Sequence, residues 1–304
     1  MTESKPTVSV IIPTYNRAAL LVEALESVLA QSFQDFEVII VDDGSNDDTA
    51  ERLKPYLTDD RVRYFCQSNG GPARARNYGI RGAFGEYIAL LDSDDLWLPA
   101  KLEKQVALLR ANPDIGLIYS DVTWIDAAGQ PMEPQPLKAQ RRFPTYYEDL
   151  MFENVIYGPG TTVVIRRENL PQHEWYDELL PTIEDQDFFL RLSKDNQFMY
   201  APEPLVLMRN HGSNLQHDPD AMATGRLRFL DKLKQDTPPT YRHHLPGIEY
   251  IVYRRIIFSY LLKRRFGITA RYLWKMTLRN PGNLFRLLAD ALSRLPRARS
   301  AHWR

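Results

Sequence analysis

Four short apolar runs, each followed by a polar cluster and then a helical pattern, constrain this chain more than any other feature. Val8–Ile12, Phe36–Val41, Val62–Phe65 and Tyr87–Leu91 are rich in β-branched and aromatic residues and have the length of strands. Val8–Ile12 is a short, nearly continuous apolar run of β-branched residues, as in a strand covered on both faces. Between the runs, Leu20, Leu21, Ala24, Leu25, Val28 and Leu29 recur at helical spacing, and Thr49–Leu57 and 72–82 read as further helices. Pro99 suits a first helical residue, Lys101–Arg110 continues that helix, and Ile115–Tyr119 is a fifth strand. The β-α-β-α order implies an α/β fold, with an open, mainly parallel sheet and helices on both faces.

After residue 125 the rhythm changes. Residues 126–147 hold four prolines and several Gln and Arg, and read as a long surface loop. Thr161–Arg166 is expected as a strand and Asp185–Lys194 as a helix. From about 219 the pattern is helical, with breaks at Pro238–Pro239, Pro246 and Pro281–Gly282. We therefore expect a first domain over 1–218 and a helical C-terminal extension over 219–304.

Charge supports that division. The net charge of −1 conceals 14 basic side chains in 240–304, opposed only by Glu249 and Asp290; residues 1–239 hold 24 basic and 37 acidic side chains. An acidic body with a basic tail suggests two surroundings. Apolar residues at 44% and charged residues at 25% exclude a disordered or collagen-like chain. A single cysteine, Cys66, excludes a disulfide scaffold and allows a reducing compartment; beside Tyr64 and Phe65 it is expected as a small buried hydrophobe. The start, MTESKPTVSV, lacks the basic segment and long apolar stretch of a signal peptide, and the longest tail run, Ile256–Leu262, is far short of the roughly 20 apolar residues of a spanning helix. A cytoplasmic setting is expected.

In open α/β sheets ligands bind beyond the carboxyl ends of the strands. There this chain places Pro13-Thr14-Tyr15-Asn16, Asp42-Asp43-Gly44-Ser45, Asn69-Gly70-Gly71-Pro72-Ala73-Arg74 and Asp92-Ser93-Asp94-Asp95. Neither a GxGxxG nor a GxxxxGK[ST] motif is present, so the usual dinucleotide and P-loop readings fail. Three carboxylates within Asp92–Asp95 repel one another unless a cation or hydrogen-bond donors compensate. Hard divalent ions favour such oxygens and share them with substrate phosphates. An acidic helix start before Pro99 is the plain alternative, but the position at the end of an apolar strand favours a metal.

The runs VSVIIPTYNR, VIIVDDGSNDDT, NGGPARARNYGI and GEYIALLDSDDLW resemble family 2 glycosyltransferases of the GT-A fold. The resemblance is dense over about 7–110, weaker through Pro181–Leu192 and Arg209–Leu215, and does not cover the tail. It implies a Rossmann-like, mixed but mostly parallel sheet flanked by helices. It also implies a nucleotide-diphospho-sugar donor, Mn²⁺ or Mg²⁺, and inversion at the anomeric carbon. By the same match Pro13, Thr14 and Tyr15 wall the nucleotide, and Asp42 reads the base edge or ribose. Arg74 and Arg76 lie near the base and diphosphate, Arg76 being the firmer match. Asp92 faces the ribose or a metal-bound water, Asp94 coordinates the metal, and Asp95 is a spare carboxylate that could exchange roles with it. Asp43 is read as a plain helix N-cap, and the Asn69-Gly70-Gly71 turn as a backbone approach to ligand.

The segment Thr182-Ile183-Glu184-Asp185-Gln186-Asp187 resembles the family's Glu-Asp motif at a helix start, which makes Asp185 the catalytic base and Glu184 its orienting partner or an acceptor contact. Asp187 is a weaker candidate. His211 is placed near the diphosphate or metal, with an ordinary loop residue as the equal alternative. Trp97 and Trp124 could face a sugar but suit a core, and Tyr157–Gly160 is either an acceptor-side or a structural turn.

The function expected is transfer of a sugar to a hydroxyl of a glycan or lipid-linked acceptor, in surface polysaccharide or glycoconjugate synthesis. The rivals are a catalytically inactive nucleotide-sugar-binding scaffold and a sugar nucleotidyltransferase. The tail, mixing Arg and Lys with Ile, Leu, Tyr, Phe and Trp, suits an anionic membrane surface or plain helical packing, and nucleic acid less well.

Overall fold

The computed structural model describes residues 5–133, 141–172, 175–210 and 218–293. The chain divides into two compact units, residues 1–215 and 216–304.

The first unit is built on an eight-stranded sheet. In chain order the strands are β1 (Val8–Thr14), β2 (Phe36–Asp42), β3 (Val62–Cys66), β4 (Tyr87–Leu90), β5 (Leu96–Trp97), β6 (Ile115–Ile125), β7 (Val164–Arg166) and β8 (Gln197–Arg209). Their spatial order is β3-β2-β1-β4-β7-β6-β8-β5. The first four are mutually parallel and β6 pairs parallel with β8, while β7 runs antiparallel to β4 and β6, and β5 antiparallel to β8. Helices α1 (Ala18–Leu29), α2 (Thr49–Leu53), α3 (Pro72–Arg81), α4 (Lys101–Ala111), α5 (Tyr146–Phe152) and α6 (Glu184–Leu192) complete the unit. This is the α/β, mostly parallel sheet that the alternating pattern implies.

Mostly apolar strands arise because both faces are covered. Val8, Val10, Ile12, Val38 and Ile40 pack in one core with Leu21, Leu25 and Val28 of α1 and Leu102 and Val106 of α4. On the other face Ile11 meets α3 so closely that a Cβ on Gly79 would lie 2.4 Å from its Cγ2. The parallel register levels the strand ends: Thr14 stands opposite Asp42, and Asp42 opposite Cys66. Four polar loops are thereby gathered at one edge.

Several boundaries differ from expectation. The second helix is α-helical only to Leu53 and continues as a 3₁₀ turn over Lys54–Thr58, because Pro55 has no N–H to give the preceding turn. Strand β7 begins at Val164; Thr161 and Thr162 instead close a turn on the Gly158 carbonyl. Within the long loop reading of 126–147, the described part ends in α5, whose Thr145 and Glu148 form a reciprocal cap. Cys66 is exposed, not buried: it ends β3, an edge strand whose outer residues have no neighbouring strand. Trp97 is core, its indole N–H donating to the Thr161 carbonyl at 2.8 Å, and Trp124 is half-buried.

Lys101 is wholly buried in α4. Its ammonium lies 4.0 Å from the Trp97 ring centroid and donates to Gln105 Oε1 at 2.7 Å, and no carboxylate pairs with it among the described residues. Burial pushes its pKa well below the usual lysine value. The folded chain then holds fewer protons than the unfolded one, so stability rises with pH up to the ordinary lysine range. We expect urea melts of the native protein between pH 7 and 9 to show this rise, at most about 1.4 kcal/mol per pH unit, and Lys101→Met to remove it. An unchanged slope in the variant would mean that Lys101 stays charged.

The second unit holds α7 (Pro219–Asp236), α8 (Leu245–Leu262), α9 (Phe266–Arg279) and α10 (Gly282–Ser293), with Pro238–Pro239 and Pro281 between helices as the sequence implies. Pro246 sits in the first turn of α8, where its missing N–H costs nothing. Among the described residues no helix is long and apolar enough to cross a membrane.

Candidate active site

The turns after β1 and β2 are stitched together. Asn16 takes a left-handed backbone, φ 50°, which Asn tolerates. Its N–H donates to Ser45 Oγ and its Oδ1 accepts from the Asn46 N–H, both at 2.8 Å. Pro13 and Thr14 are buried and Tyr15 is exposed at the rim. Asp42 is buried and accepts from the Ser45 N–H and the Tyr64 hydroxyl, each at 2.7 Å. Burial first, and then the Asp42 bond, push the Tyr64 phenol up, so it remains a donor.

Asp43 is not the helix N-cap expected for it; Asp48 occupies that position. Its carboxylate accepts from the Gln67 amide and from the N–H groups of Gly70 and Gly71, at 2.7, 2.9 and 2.7 Å. It therefore fixes the Asn69-Gly70-Gly71 turn. Arg74 is exposed and folds over Gly70.

The acidic segment after β4 is held from three directions. Asp94 Oδ2 accepts from Arg17 Nη1 at 2.5 Å. Asp95 is buried and accepts from the Arg209 N–H at 2.8 Å. Burial, followed by the neighbouring Asp94 and Asp92, pushes the Asp95 carboxyl well up. Asp92 keeps a third of its side chain exposed and accepts from Arg76 Nη2 at 2.8 Å. On its other side a Cβ at Gly160 would stand 2.3 Å from Asp92 Oδ2, so the Tyr157–Gly160 turn requires glycine there to approach the carboxylate.

Arg76 joins this segment to α6. It is buried, and its Nη1 lies 3.0 Å from Glu184 Oε1 and 3.5 Å from Asp185 Oδ1. Its guanidinium lies 5.3 Å from the Tyr176 ring centroid. Burial works against the charge, but Asp185, Asp92 and Glu184 outweigh it and hold the arginine well above its ordinary pKa. Asn77, one residue on, binds the backbone of Tyr176 in both directions and so keeps that ring in place.

Helix α6 is launched from Ile183 at φ 70°, ψ 9°, a left-handed conformation that costs a β-branched residue about 1–3 kcal/mol. The next two residues are Glu184 and Asp185. Asp185 keeps 19% of its side chain exposed, while Oδ1 is enclosed and has no hydrogen-bond partner among the described residues. Burial pushes its carboxyl up to about 7; Arg76 pulls it down, and Glu184 and Asp92 add to the rise. Asp187 faces away into a 2.9 Å pair with Arg191.

The structure thus brings Asp92, Glu184 and Asp185 together through Arg76, with Asp94 on the same segment as Asp92. Arg74 lies apart on the rim, and His211 lies outside the described residues. Sequence reasoning passed over Arg17, Gly160 and Tyr176. Arg17 stood within the quoted PTYNR run, and Gly160 within a flagged turn; nothing local marked Tyr176.

Among the described residues no three His, Cys, Asp or Glu side chains are grouped as a ready-made metal cage. The donor chemistry nonetheless fits Mg²⁺ or Mn²⁺, which are commonly held by about one or two carboxylates, the rest of the shell being water and substrate phosphate. Asp92 and Asp94 offer two carboxylates on one segment at this sheet edge.

The sequence profile described as glycosyl transferase family 2 matches residues 9–173, more than half of the chain. The chain belongs to glycosyl transferase family 2. The matched stretch contains Asp42, Arg76 and Asp92–Asp95 and stops before Glu184-Asp185. An uncharacterized glycosyltransferase of Rickettsia felis is 52% identical over 232 residues, 75% of this chain but 37% of that one. This chain therefore spans little more than a third of the length of that relative. An uncharacterized glycosyltransferase of Haemophilus influenzae is 31% identical over 265 residues, 84% of this chain and 82% of its own. Among solved structures, the mannosyltransferase PcManGT of Pyrobaculum calidifontis, in complex with GDP-Man and Mn²⁺, aligns with TM-score 0.61 and 20% identity over 96% of this chain and 81% of that one. Residues 1–349 of Staphylococcus aureus TarS, in complex with UDP-GlcNAc, align with TM-score 0.59 and 19% identity over 83% of each. These likenesses show the GT-A fold.

Proposed function

We propose that this family 2 chain is an inverting, metal-dependent glycosyltransferase that moves a sugar from a nucleotide-diphosphate donor to a hydroxyl of a glycan or lipid-linked acceptor. A cytoplasmic setting, where the exposed Cys66 thiol stays reduced, and a role in surface polysaccharide or glycoconjugate synthesis belong to the same reading. The observation that carries it is Asp185: an enclosed carboxylate with a pKa near neutrality, fixed through Arg76 to the acidic end of β4.

A general base works best when its pKa lies near the working pH. In this mechanism Asp185 takes the proton from the acceptor hydroxyl as that oxygen bonds to the anomeric carbon. The bond from that carbon to the diphosphate oxygen breaks on the opposite face, and its electron pair leaves with the nucleoside diphosphate. Arg76 and Glu184 orient Asp185. Pro13, Thr14 and Tyr15 form the nucleotide wall, Arg74 reaches the donor from the rim, and Asp95 anchors the acidic segment to β8. Asp42 uses two of the roughly four acceptor positions of a carboxylate within the protein and keeps the others for a base or ribose donor. Asp94 and Asp92 would hold Mn²⁺ or Mg²⁺, with His211 as a further candidate ligand; the ion's contribution is to neutralise the departing diphosphate. Both structural neighbours described above bind nucleotide sugars, which supports that donor class. An inactive scaffold would be marked by loss of Asp94 or Asp185, and both are present.

Asp94→Ala tests the metal assignment. Calorimetric titration with nucleoside diphosphate should show affinity that rises at least tenfold with Mn²⁺ in the native protein and does not respond in the variant. An undiminished Mn²⁺ response would place the ion elsewhere.

A further inference from the structure

Helix α9 carries a second apolar ridge that its own packing does not use. Its buried contacts come from Met276, with Tyr272 and Leu273 half-buried. Phe266, Ala270, Trp274 and Leu278, spaced four residues apart, form another ridge open to solvent, and Phe266, Trp274 and Leu278 are each 64% exposed. One residue on at the same spacing, Arg271, Lys275 and Arg279 form a basic ridge directly beside it. Helix α10 adds Phe285, 74% exposed, and Leu288.

The charge beside these ridges is only partly compensated within the unit. Glu249 pairs with Lys234 and Arg279, and Asp290 with Arg254. Lys263, Arg264 and Arg271 are exposed and have no acidic partner among the described residues. An exposed apolar strip bordered by cations of which only Arg279 is matched by a carboxylate among the described residues calls for a partner that is anionic at its surface and hydrocarbon beneath. A second copy would bring the same positive charge to the same face. Nucleic acid would match the charge and could stack on Trp274, but it offers no hydrocarbon to cover the aliphatic Leu278 and Leu288, which are also exposed. Trp and Phe beside Arg and Lys suit the boundary of headgroup and acyl chain.

We propose that α9 and α10 dock in the plane of an anionic lipid surface, with Phe266, Trp274, Leu278 and Phe285 entering the acyl boundary and Arg264, Arg271 and Lys275 meeting the headgroups. This placement is independent of the donor site, and its test does not use sugar transfer.

The test is co-sedimentation of the full chain with phosphatidylcholine vesicles, with and without phosphatidylglycerol, at low and high salt. Binding is expected on the anionic vesicles at low salt and is lost as salt screens the headgroups. Arg271→Gln with Lys275→Gln should lower the partition coefficient about tenfold or more. Trp274→Ser with Phe285→Ser should lower it at least as much, with circular dichroism and melting unchanged because both side chains are exposed. Equal recovery on neutral and anionic vesicles, no recovery on either, or full binding by both variants would overturn the proposal. So would a lipid-free dimer that the Trp274→Ser, Phe285→Ser variant dissociates, since the ridge would then join two copies.

Discussion

Asp185→Asn is expected to abolish transfer while leaving nucleotide binding intact and making the protein more stable at alkaline pH. Removing a general base costs about 10²–10⁴-fold in rate. Turnover of the native protein should rise with pH through about 7, as Asp185 loses its proton. Stability runs the other way. The folded carboxyl holds its proton up to about 7, whereas an unfolded aspartate releases it near 3.8. Between those values the native state binds more protons than the unfolded state, so stability falls as pH rises. Asparagine has no proton to lose. At pH 8 the variant should therefore be the more stable by about 2–4 kcal/mol, a gap that closes below pH 4. Near-native turnover would remove Asp185 from the mechanism, and a pH-independent stability difference would show that its carboxyl is not perturbed.

Arg76→Met should be the most damaging single change to the fold. It leaves Asp92, Glu184 and Asp185 facing one another around a buried methionine. Removing one partner from a buried ion-pair network costs about 3–5 kcal/mol. In a domain of this size that is about a 10 °C fall in melting temperature. Part of the loss should return as pH falls to about 7, because without Arg76 the Asp185 carboxyl takes up its proton at or above that value and one negative charge disappears. Arg76→Lys should recover less than half, because an ammonium is a point charge and cannot bridge Asp92 and Glu184 as the forked guanidinium does. Thermal melts across pH would decide this. A melting temperature within 2 °C of native would show Arg76 to be a ligand contact and not the tie between β4 and α6.

The same residues show what the sequence discloses and what it withholds. Strands β1, β2 and β4 are legible because burial on both faces leaves a mostly apolar run, interrupted only by Ser9 and Glu37, with a polar cluster at its end. The loops that gather at the sheet edge follow from parallel register, so Asp42 and Asp92–Asp95 could be placed before any coordinates. Chain-distant contacts are another matter. Arg17 reaches Asp94 across 77 residues, and Arg76 reaches Glu184 across 108. No local pattern carries such a pairing. Asp43 reads as a helix cap because Asp-Gly-Ser suits one; its true partners, Gly70 and Gly71, lie on the next strand's loop. The two-residue β5 has no period to detect. In β8, Pro202 and Pro204 disguise a strand that survives by shifting register against β6 near Asp121. The left-handed Ile183 defies residue preference altogether, and such departures concentrate where geometry serves a site.

The most direct measurement is a thermal-shift panel of UDP, dTDP, GDP and CMP with their common sugars, each with and without Mn²⁺. A ligand that binds only the folded chain must raise its melting temperature by mass action. The expected result is a shift for one nucleoside diphosphate and its sugar that requires Mn²⁺ and vanishes in Asp94→Ala. Absence of any shift across the panel, in a protein that melts cooperatively, would contradict a nucleotide-sugar site at the carboxyl ends of these strands.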